Sequence, residues 1–170
     1  MTIAEIFSEL SAHMIKGVMF HSQMADYYWF LGLDGYAKCH EKQYKCENKT
    51  WRKLSRYYIE HYNRLIEERN IDDPKAIPQG WWQYTRMNVD MNTRKKAVQT
   101  GLKAWHIWET ETKSLYEKAY RAFEDNDAIR DMMLAKELIK DVDDELMEIQ
   151  SYMMDLGIVD YDMKTIYEMQ

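Results

Sequence analysis

Apolar residues recur every three or four positions in four long stretches of the chain, which is the spacing of one face of an α-helix. The pattern predicts four helices of similar length, over residues 2–33, 36–69, 90–124 and 128–156. Thr2, with Glu5 three positions later, predicts a capping box at the start of the first helix. Gly32 and Gly35 predict a tight turn where the first helix ends. The sequence is therefore expected to fold as an all-α protein.

The stretch over residues 70–88 has no helical periodicity and contains Pro74, Pro78, Gly80, Trp81 and Trp82. At about 3.3 Å per residue it reaches about 60 Å, whereas a thirty-residue helix is about 45 Å long. We expect a crossover that returns along the bundle, with the two tryptophans capping the bundle end beneath it. The prediction is one domain, residues 1–170, folded as a four-helix bundle with a long crossover between helices two and three.

Residues 157–170 form a short tail with apolar side chains at Tyr161, Met163, Ile166 and Tyr167. This tail is expected either to dock as a terminal helix or to contact a neighbouring subunit.

Histidines and carboxylates interrupt the apolar stripes of the first three helices. Counting from the turn at Gly32 places His61 within about one turn of His13, and a full-length crossover places Glu109 at the level of His13. With Glu47 nearby, the residues predicted to converge in the core are His13, His61, Glu109 and Glu47. Imidazole and carboxylate ligands suit Fe, Mn or Zn. The alternative is a polar core whose hydrogen bonds are satisfied internally.

Two further positions bear on this core. Gly17 interrupts the stripe of helix one, which predicts close packing of another backbone or of an aromatic ring at that point. The stripe of helix four contains no acid or histidine, and its acids are expected on the solvated face: Glu137, Asp141, Asp144 and Glu148.

The predicted organisation resembles the ferritin-like superfamily over the whole chain. The resemblance implies a bundle with one crossover and a metal centre in the core, commonly a di-iron site. The di-metal members use a Glu from each of two helices and Glu-x-x-His from each of the other two. The nearest variants here are Glu9-x-x-x-His13 and the reversed His106-x-x-Glu109, and no Glu-x-x-His occurs in the sequence.

A local resemblance to the Dps mini-ferritins rests on residues around the first turn: Tyr28, Trp29, Tyr36, His40 and Glu41. Among the ligand positions of that family only His40 corresponds, so the resemblance does not imply ferroxidase activity. Residues 93–98 and 137–146 are also similar to uncharacterised bacterial and prophage-encoded helical proteins, a similarity that implies no activity.

The composition narrows the functional classes. A formal net charge of −6 disfavours nucleic acid as a partner, because phosphates require a basic surface. No apolar run is long enough to span a bilayer, so no membrane association is expected. Cys39 and Cys46 lie two helical turns apart, too far for a disulfide, and two reduced thiols fit a cytoplasmic location.

Three functional hypotheses follow. The first is a ferritin-like bundle that binds a transition metal, Fe or Mn, and acts in storage or as an oxidoreductase. The alternative is a non-enzymatic homo-oligomeric scaffold or interaction protein of ferritin-like fold without metal, for which the similarity to prophage proteins implies a prophage origin. A small-molecule-binding bundle is a third hypothesis if Gly17 marks a cavity.

Overall fold

The computed structural model of the protein describes residues 1–67, 71–77, 85–86, 88–158 and 160–168. These residues contain five helices and no strand: α1 (Ile3–Phe30), α2 (Asp34–Tyr62), α3 (Met91–Asp125), α4 (Ile129–Ile158) and α5 (Met163–Glu168). The prediction of an all-α chain with four long helices is confirmed. Trp81 and Trp82, predicted to cap the bundle, lie outside the described residues.

The helix ends follow local chemistry. Thr2 caps α1 through the predicted capping box, in which Glu5 N–H donates to Thr2 Oγ1 at 3.3 Å and Thr2 N–H donates to Glu5 Oε2 at 2.8 Å. Helix α2 ends seven residues before the predicted boundary, because Asn63 adopts the left-handed conformation (φ 53°). Asparagine tolerates this conformation better than most residues. Leu65, which continues the apolar spacing, is 78% exposed.

Helices α1 and α2 form an antiparallel pair. Near the middle of α1, Trp51 Nε1–H donates to Ser11 Oγ at 3.0 Å. Closer to the turn, the Nδ1 atoms of His21 and His40 lie 2.9 Å apart. Residues near the end of α1 therefore lie beside residues near the start of α2, and residues near the start of α1 lie beside the end of α2.

Helix α3 also runs antiparallel to α1. Lys118 Nζ contacts Glu9 Oε2 at 2.9 Å near one end, and Arg94 Nη1 donates to the Leu31 carbonyl at 2.6 Å near the other. Helices α2 and α3 consequently run in the same direction. Helix α4 packs against α3, where Lys113 Nζ contacts Asp143 Oδ1 at 2.6 Å.

The described parts of the connection between α2 and α3 contact α1 at two levels. Ser8 Oγ–H donates to the Glu67 carbonyl at 3.0 Å. Further along α1, Gln23 Nε2 donates to Asp73 Oδ1 at 2.6 Å, and Ala76 N–H donates to Gln23 Oε1 at 2.8 Å.

Two apolar clusters fill the bundle, one at each end. The cluster beside the α1–α2 turn includes Tyr28 and Trp105, and Ile166 from α5 is fully buried in it. The tail therefore docks on its own bundle. The cluster at the opposite end is built around Phe7 and Phe123. None of the helices in the described residues carries an apolar stretch that would reach across a bilayer.

Substituting Gly101 with Ala tests the packing between α1 and α3. A Cβ atom at Gly101 would lie 2.8 Å from Cζ of Tyr28, whose ring is completely buried and cannot withdraw. We expect Gly101→Ala to lower the free energy of unfolding by about 1–3 kcal/mol, the usual cost of overpacking, measured by urea denaturation. The matched control is Gly157→Ala, where no atom lies within 4 Å. The control should be neutral or slightly stabilising, and equal stability of the two variants would contradict this packing.

Candidate functional site

A polar layer separates the two apolar clusters, and each of the four long helices contributes to it. The contributors are His21 from α1, Glu47 from α2, Glu109 from α3 and Glu145 from α4. The three carboxyl groups line an internal cavity of about 30 Å³. This volume holds about one water molecule or one small ion.

Glu109 lies at the centre of the layer and is fully buried. Its Oε1 atom accepts a hydrogen bond from Trp105 Nε1–H at 3.0 Å and lies 3.4 Å from His21 Nε2. No N–H or hydroxyl group of the described residues donates to its Oε2 atom. The carboxyl group of Glu145 lies close enough to share a proton with that of Glu109 when one of the two is protonated. Burial raises the pKa of Glu109 above its usual range, because a low-dielectric surrounding disfavours the charged form. The group therefore requires a proton or a cation in this position.

The two buried histidines share one proton between them. Their Nδ1 atoms lie 2.9 Å apart, so only one of them carries the hydrogen. If His40 donates, His21 carries its own proton on Nε2, which faces Glu109 Oε1. The opposite arrangement would set a nitrogen lone pair against a carboxyl oxygen, so electrostatics favours the first. Burial lowers the pKa of His21 to about 3 and that of His40 well below its usual value, which keeps both rings neutral.

Glu47 occupies the space that Gly17 leaves open. A Cβ atom at Gly17 would lie 3.2 Å from the carboxyl carbon of Glu47, so the glycine admits a carboxyl group. From the sequence, another backbone or an aromatic ring was expected to pack against Gly17, and the carboxyl group of Glu47 takes that place. Burial, followed by the nearby charges of Glu109 and Glu145, raises the pKa of Glu47 to about 8.

Glu145 is subject to the same effects. Burial and then the charge of Glu109 raise the pKa of Glu145. Within the described residues, no lysine or arginine forms an ion pair with Glu47, Glu109 or Glu145. The cavity is consequently lined by three acids that favour their protonated forms, and by the exposed Asp141 at its edge.

The structure brings together two of the four residues predicted to converge, Glu47 and Glu109. His13 Nε2 is hydrogen-bonded to Thr112 Oγ1 at 2.7 Å, and its ring stacks on Trp108 at 4.5 Å. Because the single Thr112 hydroxyl proton goes to the Trp108 carbonyl, His13 Nε2–H is the donor. His13 is thus a hydrogen-bonded core residue. Burial, with a smaller effect of Lys16, lowers its pKa to about 4.

His61, which was predicted to lie in the core, is on the surface. It lies in the last turn of α2, is exposed and contacts the Tyr57 ring at a centroid distance of 4.1 Å. It does not enter the polar layer, because the layer lies at the level of His40 and Glu47, nearer the other end of α2.

Neither Glu145 nor Asp131 was predicted from the sequence to face the core. Helix four was expected to carry no acid in its buried stripe, and this expectation is wrong. Asp131 is buried near the start of α4, where it accepts hydrogen bonds from the hydroxyl groups of Tyr57 and Tyr62, and Glu145 is half-buried beside the cavity. Glu145 lies three positions after Val142 and four before Ile149, both buried, which was the available signal. The acids of α4 expected in solvent are exposed: Glu137, Asp141, Asp144 and Glu148.

In the part of the chain that the structure describes, no three His, Cys, Asp or Glu side chains are grouped closely enough to hold a metal ion. No family model matches the chain, and no curated protein matches it.

Glu47→Gln tests the protonated state of the layer through the pH dependence of stability. The pKa of the Glu47 carboxyl group is 4.5 in the unfolded chain and about 8 in the folded one. Between these values the folded protein retains a proton that the unfolded chain releases, so the free energy of unfolding falls as the pH rises. Glutamine removes this dependence. We expect the variant to be more stable than wild type by about 1–3 kcal/mol above pH 8, less than the full shift because Glu47 retains some solvent exposure.

The measurement is urea unfolding at intervals from about pH 5 to pH 9, the range over which the carboxyl titrates. Glu109 and Glu145 titrate in both proteins, so the difference between the two curves reports Glu47. Glu137→Gln, at an exposed acid of α4, is the control and should follow wild type throughout. A Glu47→Gln variant that is less stable than wild type at every pH would show that the carboxyl is ionised and required in that form.

Proposed function

We propose that this protein is a ferritin-like bundle that binds a divalent transition metal, Fe or Mn, through Glu109, Glu47, Glu145 and His21. The observation that carries the proposal is the grouping of the carboxyl groups of Glu47, Glu109 and Glu145 around one small cavity, with no lysine or arginine of the described residues paired to any of them. This ligand set replaces the one expected from sequence, since it omits His13 and His61.

The donor set fits the chemistry of these metals. Carboxylate oxygens combined with one imidazole nitrogen suit Fe²⁺ and Mn²⁺ better than the softer metals that prefer thiolates. His21 Nε2 lies beside Glu109 Oε1 and has no hydrogen-bond partner among the described residues. A bound dication would take the place of the protons that the buried acids otherwise hold. His21 would bind it through Nε2 as the Nδ1–H tautomer, which donates to His40 Nδ1, and His40 would then carry its proton on Nε2.

Binding requires a rearrangement of side chains. Because no three of the described donors are grouped closely enough to hold a metal ion, the side chains of Glu47 and Glu145 would have to adjust around Glu109 when the ion enters. Both are partly solvent-accessible and have three rotatable side-chain bonds. Glu109 and His21, which are fully enclosed, supply the fixed part of the site.

The ferritin-like topology belongs to the same proposal. Parallel α2 and α3 require a connection that returns along the bundle, as in that superfamily. The contacts of Glu67 with Ser8, and of Asp73 and Ala76 with Gln23, support a path along α1.

Metal binding is tested by incubating the purified protein with Mn²⁺, or with Fe²⁺ under anaerobic conditions, followed by desalting and elemental analysis. The experiment is done near pH 8, where the acids release their protons more readily. We expect wild type to retain metal, and we expect Glu109→Gln to bind it with an affinity at least about tenfold lower and so to lose it on desalting. Glu137→Gln is the matched control and should bind as wild type does. Wild type that keeps its native circular dichroism spectrum and retains neither metal would refute the proposal.

A second pair of variants tests which histidine binds. His21→Ala should weaken metal retention about tenfold or more, as loss of a ligand usually does. His61→Ala should leave retention unchanged, because His61 is exposed in the last turn of α2. The reverse result would restore the ligand set expected from sequence.

A further inference from the structure

The solvent side of helix α4 carries a regular row of exposed apolar and charged side chains. Exposed residues recur at intervals of three, four or seven positions along the helix, which places them on a single stripe. We call this the outer stripe: Met133, Lys136, Lys140, Asp144, Met147 and Met154.

The ends of the outer stripe are apolar. Met133, Met147 and Met154 are 57%, 61% and 67% exposed, and Ile129, one turn before Met133, is 74% exposed. Single exposed apolar side chains are common on protein surfaces. Four large ones on one face of one helix indicate a contact surface.

Charges in the middle of the outer stripe are asymmetric along the helix. The bases Lys136 and Lys140 come first and Asp144 follows. Asp144 forms no ion pair within the described residues. Lys136 Nζ lies 5.5 Å from the centre of the Tyr120 ring, a weak surface interaction, and forms no ion pair within the described residues. Glu137, beside the stripe, is already paired with Lys53 at 3.3 Å.

This order of charges selects the orientation of a helix that packs on the stripe. Against a parallel copy of α4, lysines would face lysines and Asp144 would face Asp144. Against an antiparallel copy related by a twofold axis at Lys140, Lys136 faces Asp144 of the second copy. In the same register Met133 faces Met147 of the second copy. Lys140 lies at the axis, where its long stem carries the ammonium group to solvent.

We propose that α4 pairs with α4 of a second copy of this chain, antiparallel across a twofold axis near Lys140. The interface is self-complementary, as a twofold dimer requires, and each Lys136–Asp144 pair occurs twice. The tail does not take part as an exchanged element, because Ile166 of α5 is fully buried in its own bundle. The pairing does not require a bound metal, because the residues that form it lie on the solvent side of α4.

Charge reversal with rescue tests the pairing by multi-angle light scattering and sedimentation velocity. We expect wild type to be a dimer, and Lys136→Glu or Asp144→Lys to weaken dimerisation by at least about tenfold, because each places two like-charged pairs in the interface. The double variant Lys136→Glu/Asp144→Lys restores opposite charges and should recover the dimer. Lys103→Glu, at an exposed base of α3, is the control and should remain dimeric.

All the substituted residues are exposed, so circular dichroism should show unchanged helix content in every variant. A wild type that stays monomeric at high concentration would overturn the proposal. A dimer that survives both charge reversals, or a double variant that fails to re-form it, would also overturn the proposal. Glu109→Gln should dimerise as wild type does, which separates this outcome from that of the metal-binding test.

Discussion

The carboxyl group of Glu109 is fully enclosed by protein, and the surrounding residues are arranged as its burial requires. Trp105 donates a hydrogen bond to one oxygen, and the neutral His21 ring faces the same atom. Gly17 leaves room for a second carboxyl group from Glu47 at the same level. The apolar core stops at this layer and resumes beyond it, so the bundle is built as two cores around one polar centre.

Such a layer costs stability relative to an apolar one, because buried polar groups recover in hydrogen bonds only part of what they lose in hydration. Glu109 contributes to this cost, because its carboxyl group is fully buried and has no lysine or arginine partner in the described residues. Places where a core departs from the most stable solution are commonly places of function. In the proposed metal site, the acids that hold protons at low pH would hold a cation as the pH rises, so the pH dependence of stability and metal binding would have one cause.

The four helices could be predicted from sequence because their apolar periodicity persists over seven or more turns. The details of the site could not, because neighbouring helix positions point about 100° apart. Glu145 and Leu146 both flank the stripe of α4, and periodicity alone does not decide which one faces the cavity. His61 was expected inside because its spacing continues the stripe, yet α2 ends at Tyr62 with Asn63 in a left-handed conformation.

The two faces of α4 are coupled through the rotation of that helix. Glu145 and Asp144 are consecutive, so a rotation that turns Asp144 away from a partner also moves Glu145 relative to the cavity. Pairing α4 with a second copy would resist that rotation, because Met133 and Met147 would be held at the same interface. The proposed antiparallel dimer would therefore restrain the rotation of α4 and, with it, the position of Glu145 beside Glu109. The polar layer would be held from outside as well as from inside, because the helix that supplies its fourth side chain would be fixed on both of its faces.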